Sequence, residues 1–345
     1  MIVELSPVSK LAFAMINHPR LGAGALGSGL EDSIVAIILQ ATLEENRIVR
    51  TMLADECFEV RPGGKGSWAP RYVAVDSLGH IVVSDYDNHN VKVFSGEDGS
   101  LLQSIGAAGT EDGQLSMPLG VAISREGNFV VADSRNHRVQ VFRQDGTFLR
   151  SIGCKGKADG ELEFPMGVAV DHSGNIVVAD WGNNRIQIFD SQGSFQRTVG
   201  RPGGGDGELK CPSGVAVNDS GTLLVVADGQ NHRVQLFDAD GTFRRSIGQA
   251  DDDDDEEDDG MLNGPMGIAL DVDGNIVVAD KSDRVQVFRQ DGTFVCSVGQ
   301  NGKGIGELHG PGGVAVDGAG NIVVADCKNR RVQVFACAVA PTAPE

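Results

Sequence analysis

No Cys-x-x-Cys pair occurs anywhere in this chain of 345 residues. Its six cysteines, Cys57, Cys154, Cys211, Cys296, Cys327 and Cys337, stand singly, which speaks against a zinc ribbon, a RING finger or a thiol redox motif and fits a reduced, intracellular protein. Long apolar runs are missing too: the longest, 34–39, is far too short to cross a bilayer. The start, Met1-Ile-Val-Glu-Leu, lacks the basic stretch, apolar core and small-residue cleavage site of a signal peptide, so a soluble, cytoplasmic protein without membrane association is expected. Positive charge is scarce. Lys and Arg number 29 against 48 Asp and Glu, for a net charge of −19, and taking away the nine acids of 251–259 still leaves −10. Proteins that grip phosphate backbones normally present a basic surface. RNA is therefore disfavoured as a partner, although a basic patch confined to one face would escape that argument.

What the chain has in abundance is one unit, repeated. The clearest copy reads Pro165-Met-Gly-Val-Ala-Val-Asp171, then Gly174-Asn-Ile-Val-Val-Ala-Asp180, then Asn184-Arg-Ile-Gln-Ile-Phe189, then Phe195 to Gly200. Six copies open at Pro70, Pro118, Pro165, Pro212, Pro265 and Pro311, spaced by 48, 47, 47, 53 and 46 residues, and the longest interval holds the acidic run. Each copy carries four short β-branched segments, here called strands a to d. Gly-Asn turns at Gly127, Gly174, Gly274 and Gly320 separate a from b, and Asp-Gly turns at Asp98, Asp145, Asp240 and Asp291 separate c from d. Four-stranded antiparallel units at this period pack radially, which predicts an all-β, six-bladed β-propeller. Small residues recur where strand a begins, at Gly120, Gly167, Gly214, Gly267 and Gly313, as strands crowding a narrow channel require; the first copy has Tyr72 there.

The Pro-x-Gly-Val-Ala-Val-Asp, Val-Ala-Asp, Asn-x-Arg-Val-Gln-Val-Phe and Gly-Asp-Gly-Glu-Leu elements together resemble the NHL repeat over about residues 57–335. That resemblance implies a binding scaffold, and more finely the substrate-recognition part of a ubiquitin ligase in protein ubiquitination and turnover; with no RING in this chain, catalysis would reside in another subunit. The sixth copy stops at Phe335, so a missing strand d would leave an open edge. The interval Phe58 to Gly63 matches Phe148 to Gly153, which predicts that strand 57–61 closes the ring. The expected domains are a helical segment over 1–55, a propeller over 56–335 and a flexible tail over 336–345. In the first of these, Ile34, Ile37, Ile38, Ile48, Val49, Met52 and Leu53 recur at helical spacing after a capping Asp32 or Ser33. The segment reads either as a cap on the propeller rim or, because 30–39 resembles the first helix of an F-box, as a docking element for a ligase scaffold.

Residues that could carry chemistry recur too often to be catalytic. Asp85, Asp133, Asp180, Asp228, Asp280 and Asp326 stand in all six copies, and Arg138, Arg185, Arg233, Arg284 and Arg331 in five, with Asn90 in the first. Repeated charge pairs of this kind satisfy one another and the turn amides, and Asn90 suggests that the ring can spare one. His89, His137 and His232 occupy one equivalent turn in separate blades, an arrangement that diverges around the ring and does not make a zinc site. Asp271-Val-Asp-Gly-Asn275 looks like part of a calcium loop, but its sister copies lack the second carboxylate, so a hairpin turn is expected and no cofactor or metal is assigned. The run 251–259 reads as a solvated loop, a handle at most for a basic partner or divalent cations. Specificity is expected where copies differ on the face of the b-to-c and d-to-a loops, at Tyr86, Asn88, Arg135, Trp181, Asn183, Gln230, Lys281, Lys328 and Arg330. A protein partner leads. An RNA-binding propeller and a metal-dependent lyase or lactonase of propeller fold are the alternatives.

Overall fold

The computed structural model describes residues 51–52, 58–60, 68–248 and 259–338. Within them lies a ring of six four-stranded antiparallel sheets, blades 1 to 6, at 70–105, 121–152, 165–199, 212–247, 268–298 and 311–335. Blade 3 shows the plan. Its strands Pro165–Val170, Ile176–Asp180, Arg185–Phe189 and Phe195–Val199 pair in order, with Asp180 opposite Arg185 at the b-to-c end. Blade 6 has only three strands of its own. Phe58–Val60 completes it, running antiparallel to Arg331–Phe335 with Glu59 opposite Gln333.

The core is not central but sixfold. Each apolar cluster lies at a seam between neighbouring blades, because successive residues of a strand face opposite sides. On strand b of blade 3, Val177 packs into the seam with blade 4 and Val178 into the seam with blade 2. Burial on both faces therefore turns the expected alternation into the continuous Ile-Val-Val-Ala run. The seam between blades 6 and 1 is built the same way, and the buried Val60 brings the incoming strand into it. Leu115, Leu162, Leu209 and Leu308, the last residue of the Gly-Asp-Gly-Glu-Leu element or its equivalents, are wholly buried and pin each d-to-a loop by a short parallel bridge.

At the axis the inner strands touch backbone to backbone. A Cβ on Gly313 would stand 2.5 Å from Tyr72 Cα, so that position admits no side chain. Tyr72 itself, the departure from the glycine pattern, turns its ring across the channel and its hydroxyl donates to the Ser213 carbonyl of blade 4 at 3.2 Å. Burial raises its phenol pKa, so it stays protonated as that donor. Ser84, where the other blades have Ala, takes the Tyr72 N–H at 2.9 Å. The central channel is thus bridged from blade 1 to blade 4.

The helical segment expected over 1–55 is not supported. Residues 1–50 and 53–55 lie outside the described residues, Thr51–Met52 is a short strand, and no α-helix occurs among the described residues. The F-box-like stretch 30–39, acidic residues 251–258 and tail residues 339–345 also fall outside them. No helix among the described residues is long and apolar enough to cross a membrane.

Candidate binding face and central cup

One hydrogen-bonded frame, repeated around the ring, builds the face of the b-to-c and d-to-a loops. In blade 3, Asp180 is fully buried; its Oδ1 accepts the Glu163 N–H at 2.7 Å from the preceding d-to-a loop. Its Oδ2 accepts from Asn183 Nδ2 at 2.9 Å and from Arg185 Nε at 2.8 Å, while Gln187 Nε2 donates to it at 3.2 Å. Arg185 also reaches the Ala158 and Glu161 carbonyls, so one guanidinium ties both loops together. Asp133, Asp228 and Asp326 hold the same frame. A buried carboxylate is tolerable here because several donors, one of them charged, converge on it.

Blade 1 corrects the inference drawn from Asn90. Lys92 stands two residues along strand c, where the other blades have Gln, and its ammonium pairs with the buried Asp85. Residues two apart on a strand share a face, so the cation has moved along the strand and the ring has not gone without one. Blade 5 departs differently: its b-to-c turn is one residue shorter and lacks the Asn. Arg284 Nε there stands 3.5 Å from Asp280, and burial raises the Asp280 pKa.

Two of the three turn histidines lock blades together. His89 Nδ1 accepts the Met117 N–H at 2.9 Å and His137 Nδ1 accepts the Phe164 N–H at 3.2 Å, and in the same role Asn184 Oδ1 takes the Cys211 N–H and Asp283 Oδ1 the Gly310 N–H. These are turn residues in the left-handed region, with φ between 54° and 59° at His89, His137, Asn184 and Asp283. The calcium-like stretch is a turn as well, since Asp271 Oδ1 accepts the Asp273 and Asn275 N–H groups. Among the described residues, no three His, Cys, Asp or Glu side chains come together as a metal site.

Over the Tyr72 bridge lies a cup of about 290 Å³. Its wall is the residue between Pro and the following small residue of the repeat, Arg71, Leu119, Met166, Met266 and Gly312, joined by Cys327, Lys281 and Lys328 from the b-to-c turns. Among the described residues, three cations and no carboxylate line it. Arg71 is stacked on the Tyr86 ring, 4.8 Å from its centroid, and its Nε is buried with no hydrogen-bond partner among the described residues. Burial pushes the Cys327 thiol up to about 11, which keeps it neutral and unreactive.

Of the residues expected at this face, Lys281 and Lys328 line the cup and Tyr86 supports Arg71. Arg135, Gln230 and Arg330 are exposed on b-to-c turns outside it, and Trp181 opens a short 3₁₀ turn there, half-buried. The Asn88 and Asn183 amides are engaged by Asp85 and Asp180, so both serve the frame. Sequence reasoning missed Arg71, Leu119, Met166 and Met266. Their signal was the one variable position inside the otherwise repeated Pro-x-Gly triplet.

The NHL repeat profile matches residues 69–94, 115–142, 162–189, 209–237 and 308–335, which are blades 1 to 4 and 6. The chain is an NHL-repeat β-propeller. The blade left unmatched is the fifth, the one with the shortened turn. Among curated proteins, this NHL chain is 31% identical over 77 residues to Protein brain tumor of Drosophila melanogaster, which covers 22% of the chain and 7% of that much longer protein. Among solved structures, virginiamycin B lyase from Staphylococcus aureus superposes with a TM-score of 0.57 at 13% identity, covering 81% of this chain and 98% of the lyase. A chain of the nidogen/laminin complex does so with a TM-score of 0.52 at 19% identity, covering 66% of this chain and 79% of the other. At such identities the likeness is one of fold.

Proposed function

We propose that the NHL propeller is a protein-interaction scaffold whose partner docks on the face of the b-to-c and d-to-a loops. The observation that carries this is the contrast between frame and turn tips. A buried Asp in each blade, bonded to Arg and Gln or, in blade 1, to Lys92, holds the turns in place, while the exposed positions they present, such as Arg135, Gln230, Lys328 and Arg330, differ from blade to blade. A rigid frame with non-repeating tips suits recognition, because little ordering is needed on binding. The half-buried Trp181 and the exposed Arg135 have the residue types enriched at interface hot spots.

The finer proposal is that the scaffold is the substrate-recognition part of a ubiquitin ligase, supported by the kind of NHL proteins that the repeats resemble. Its test is a tagged pull-down from native lysate with mass spectrometry, with and without nuclease, comparing the intact chain with a Trp181→Ala, Arg135→Ala variant. Ubiquitin-ligase subunits together with a client that rebinds when purified, lost in the variant and indifferent to nuclease, are the expected result. Nuclease-sensitive recovery would point to RNA instead, and recovery of a client without any ligase subunit would leave the scaffold and remove the ligase.

A further inference from the structure

We propose that the cup over Tyr72 binds a small amphipathic carboxylic acid, its carboxylate held by Arg71, Lys281 and Lys328 and its apolar body laid against Leu119, Met166 and Met266. This goes beyond the protein-binding reading and does not depend on it.

The charge points to an anion. In a chain of net charge −19, cations are outnumbered and readily find partners, yet no carboxylate among the described residues is paired with Arg71, Lys281 or Lys328, and none lines the cup. Buried donors in native proteins are nearly always satisfied, and the buried Arg71 Nε is one that is not. The apolar wall points to a carboxylate with a body. An inorganic phosphate would leave Leu119, Met166 and Met266 uncovered, whereas an aliphatic or aromatic acid would cover them. A volume of about 290 Å³ lies at the lower edge of ligand pockets and admits a small acid.

The lysines are seated, and this makes the site a built one. At the residue before the proline, blades 2, 3 and 4 carry Met117, Phe164 and Cys211 with φ of 49° to 51°, so the left-handed backbone there does not itself require glycine. Blades 5 and 6 have Gly264 and Gly310. A Cβ at 264 would stand 2.8 Å from Lys281 Cδ, and one at 310 would stand 2.9 Å from Lys328 Cε. Glycine replaces a side chain at just the two blades where a lysine stem lies across that spot, and a Cβ there would push the stem out of its seat.

The test is titration calorimetry of the full chain with the straight-chain series from acetate to octanoate, together with a short acidic peptide as a separate arm. Affinity is expected to rise about fourfold per added methylene until the cup is full. Lys281→Gln with Lys328→Gln, both exposed and so compatible with folding, is expected to weaken binding by about tenfold or more. Gly310→Ala keeps every charge but displaces Lys328, and is expected to weaken binding too. Leu119→Trp, which fills the apolar side, should abolish the gain with chain length. No binding of any acid, affinity flat in chain length, indifference to these variants, or binding of the peptide alone would each overturn the proposal.

Discussion

Lys92→Met isolates the one blade in which the cation has moved. Asp85 is fully buried, and among the described residues Lys92 supplies the only charged donor to it, beside the neutral Asn88 amide at 2.7 Å. Methionine keeps the length and apolar stem of lysine, so the substitution removes little but the charge. Leaving one partner of a buried pair uncompensated costs about 3–5 kcal/mol. Lys92 also stands 5.0 Å from the Trp68 ring centroid, a contact worth roughly another 0.5–1 kcal/mol. At about 2 °C per kcal/mol for a domain of this size, the melting temperature is expected to fall by at least about 6 °C. The partner variant Asn90→Arg, Lys92→Gln writes the pattern of the other blades into the first and is expected to melt within about 2 °C of the parent. Differential scanning calorimetry at neutral pH reads both. A Lys92→Met chain that melts with the parent, or a double variant no better than the single one, would refute the idea that the cation position along strand c is interchangeable.

Two further outcomes follow from the same geometry. His137 accepts a backbone N–H through Nδ1, and burial, with Lys155 nearby, lowers its pKa from the ordinary 6.5; its contribution is therefore present above 6.5 and lost as the pH falls through the lowered value. Melting temperatures measured from neutral to about pH 5 are expected to drop by roughly 2 °C more in the parent than in His137→Asn, which borrows the Asn184 solution of the next blade. At the ring closure, Val60 is 1% exposed in the seam of blades 6 and 1, and Glu59 Oε2 lies 3.2 Å from Arg331 Nη1. Val60→Asp would bury an unpaired charge and is expected to cost several kcal/mol, as is truncation before residue 62; a thermal melt unchanged by either would show that face packing alone holds the ring.

The frame of the molecule was legible because it is written six times. Prolines at a fixed period, Gly-Asn and Asp-Gly turns and a recurring Val-Ala-Asp each recover the same hairpins, and a pattern that must satisfy the same buried hydrogen bonds in every blade leaves the same residues in every blade. Where the copies differ, reading along the chain fails for a physical reason. Asn90 looks like a missing charge because the comparison is made position by position, whereas an extended strand offers its neighbour two residues on as an equivalent place. Tyr72 is visible as a departure, but whether its ring turns outward or across the channel depends on Ser213 of blade 4, 141 residues away.

The cup was least legible of all, because no single copy contains it. Its wall takes one residue from each of several blades, and its lysines come from different places in their turns, Lys281 directly after Asp280 and Lys328 two residues after Asp326. Only the ring brings these into one register. The glycines at 264 and 310 carry the same lesson. Each reads as an ordinary loop residue until the lysine stem across it is seen, and then its lack of a side chain becomes the reason that a cation can lie there. A closed repeat protein therefore keeps its scaffold in what the copies share, and its individuality in the few positions that converge on the axis, where one change per blade is enough to compose a site.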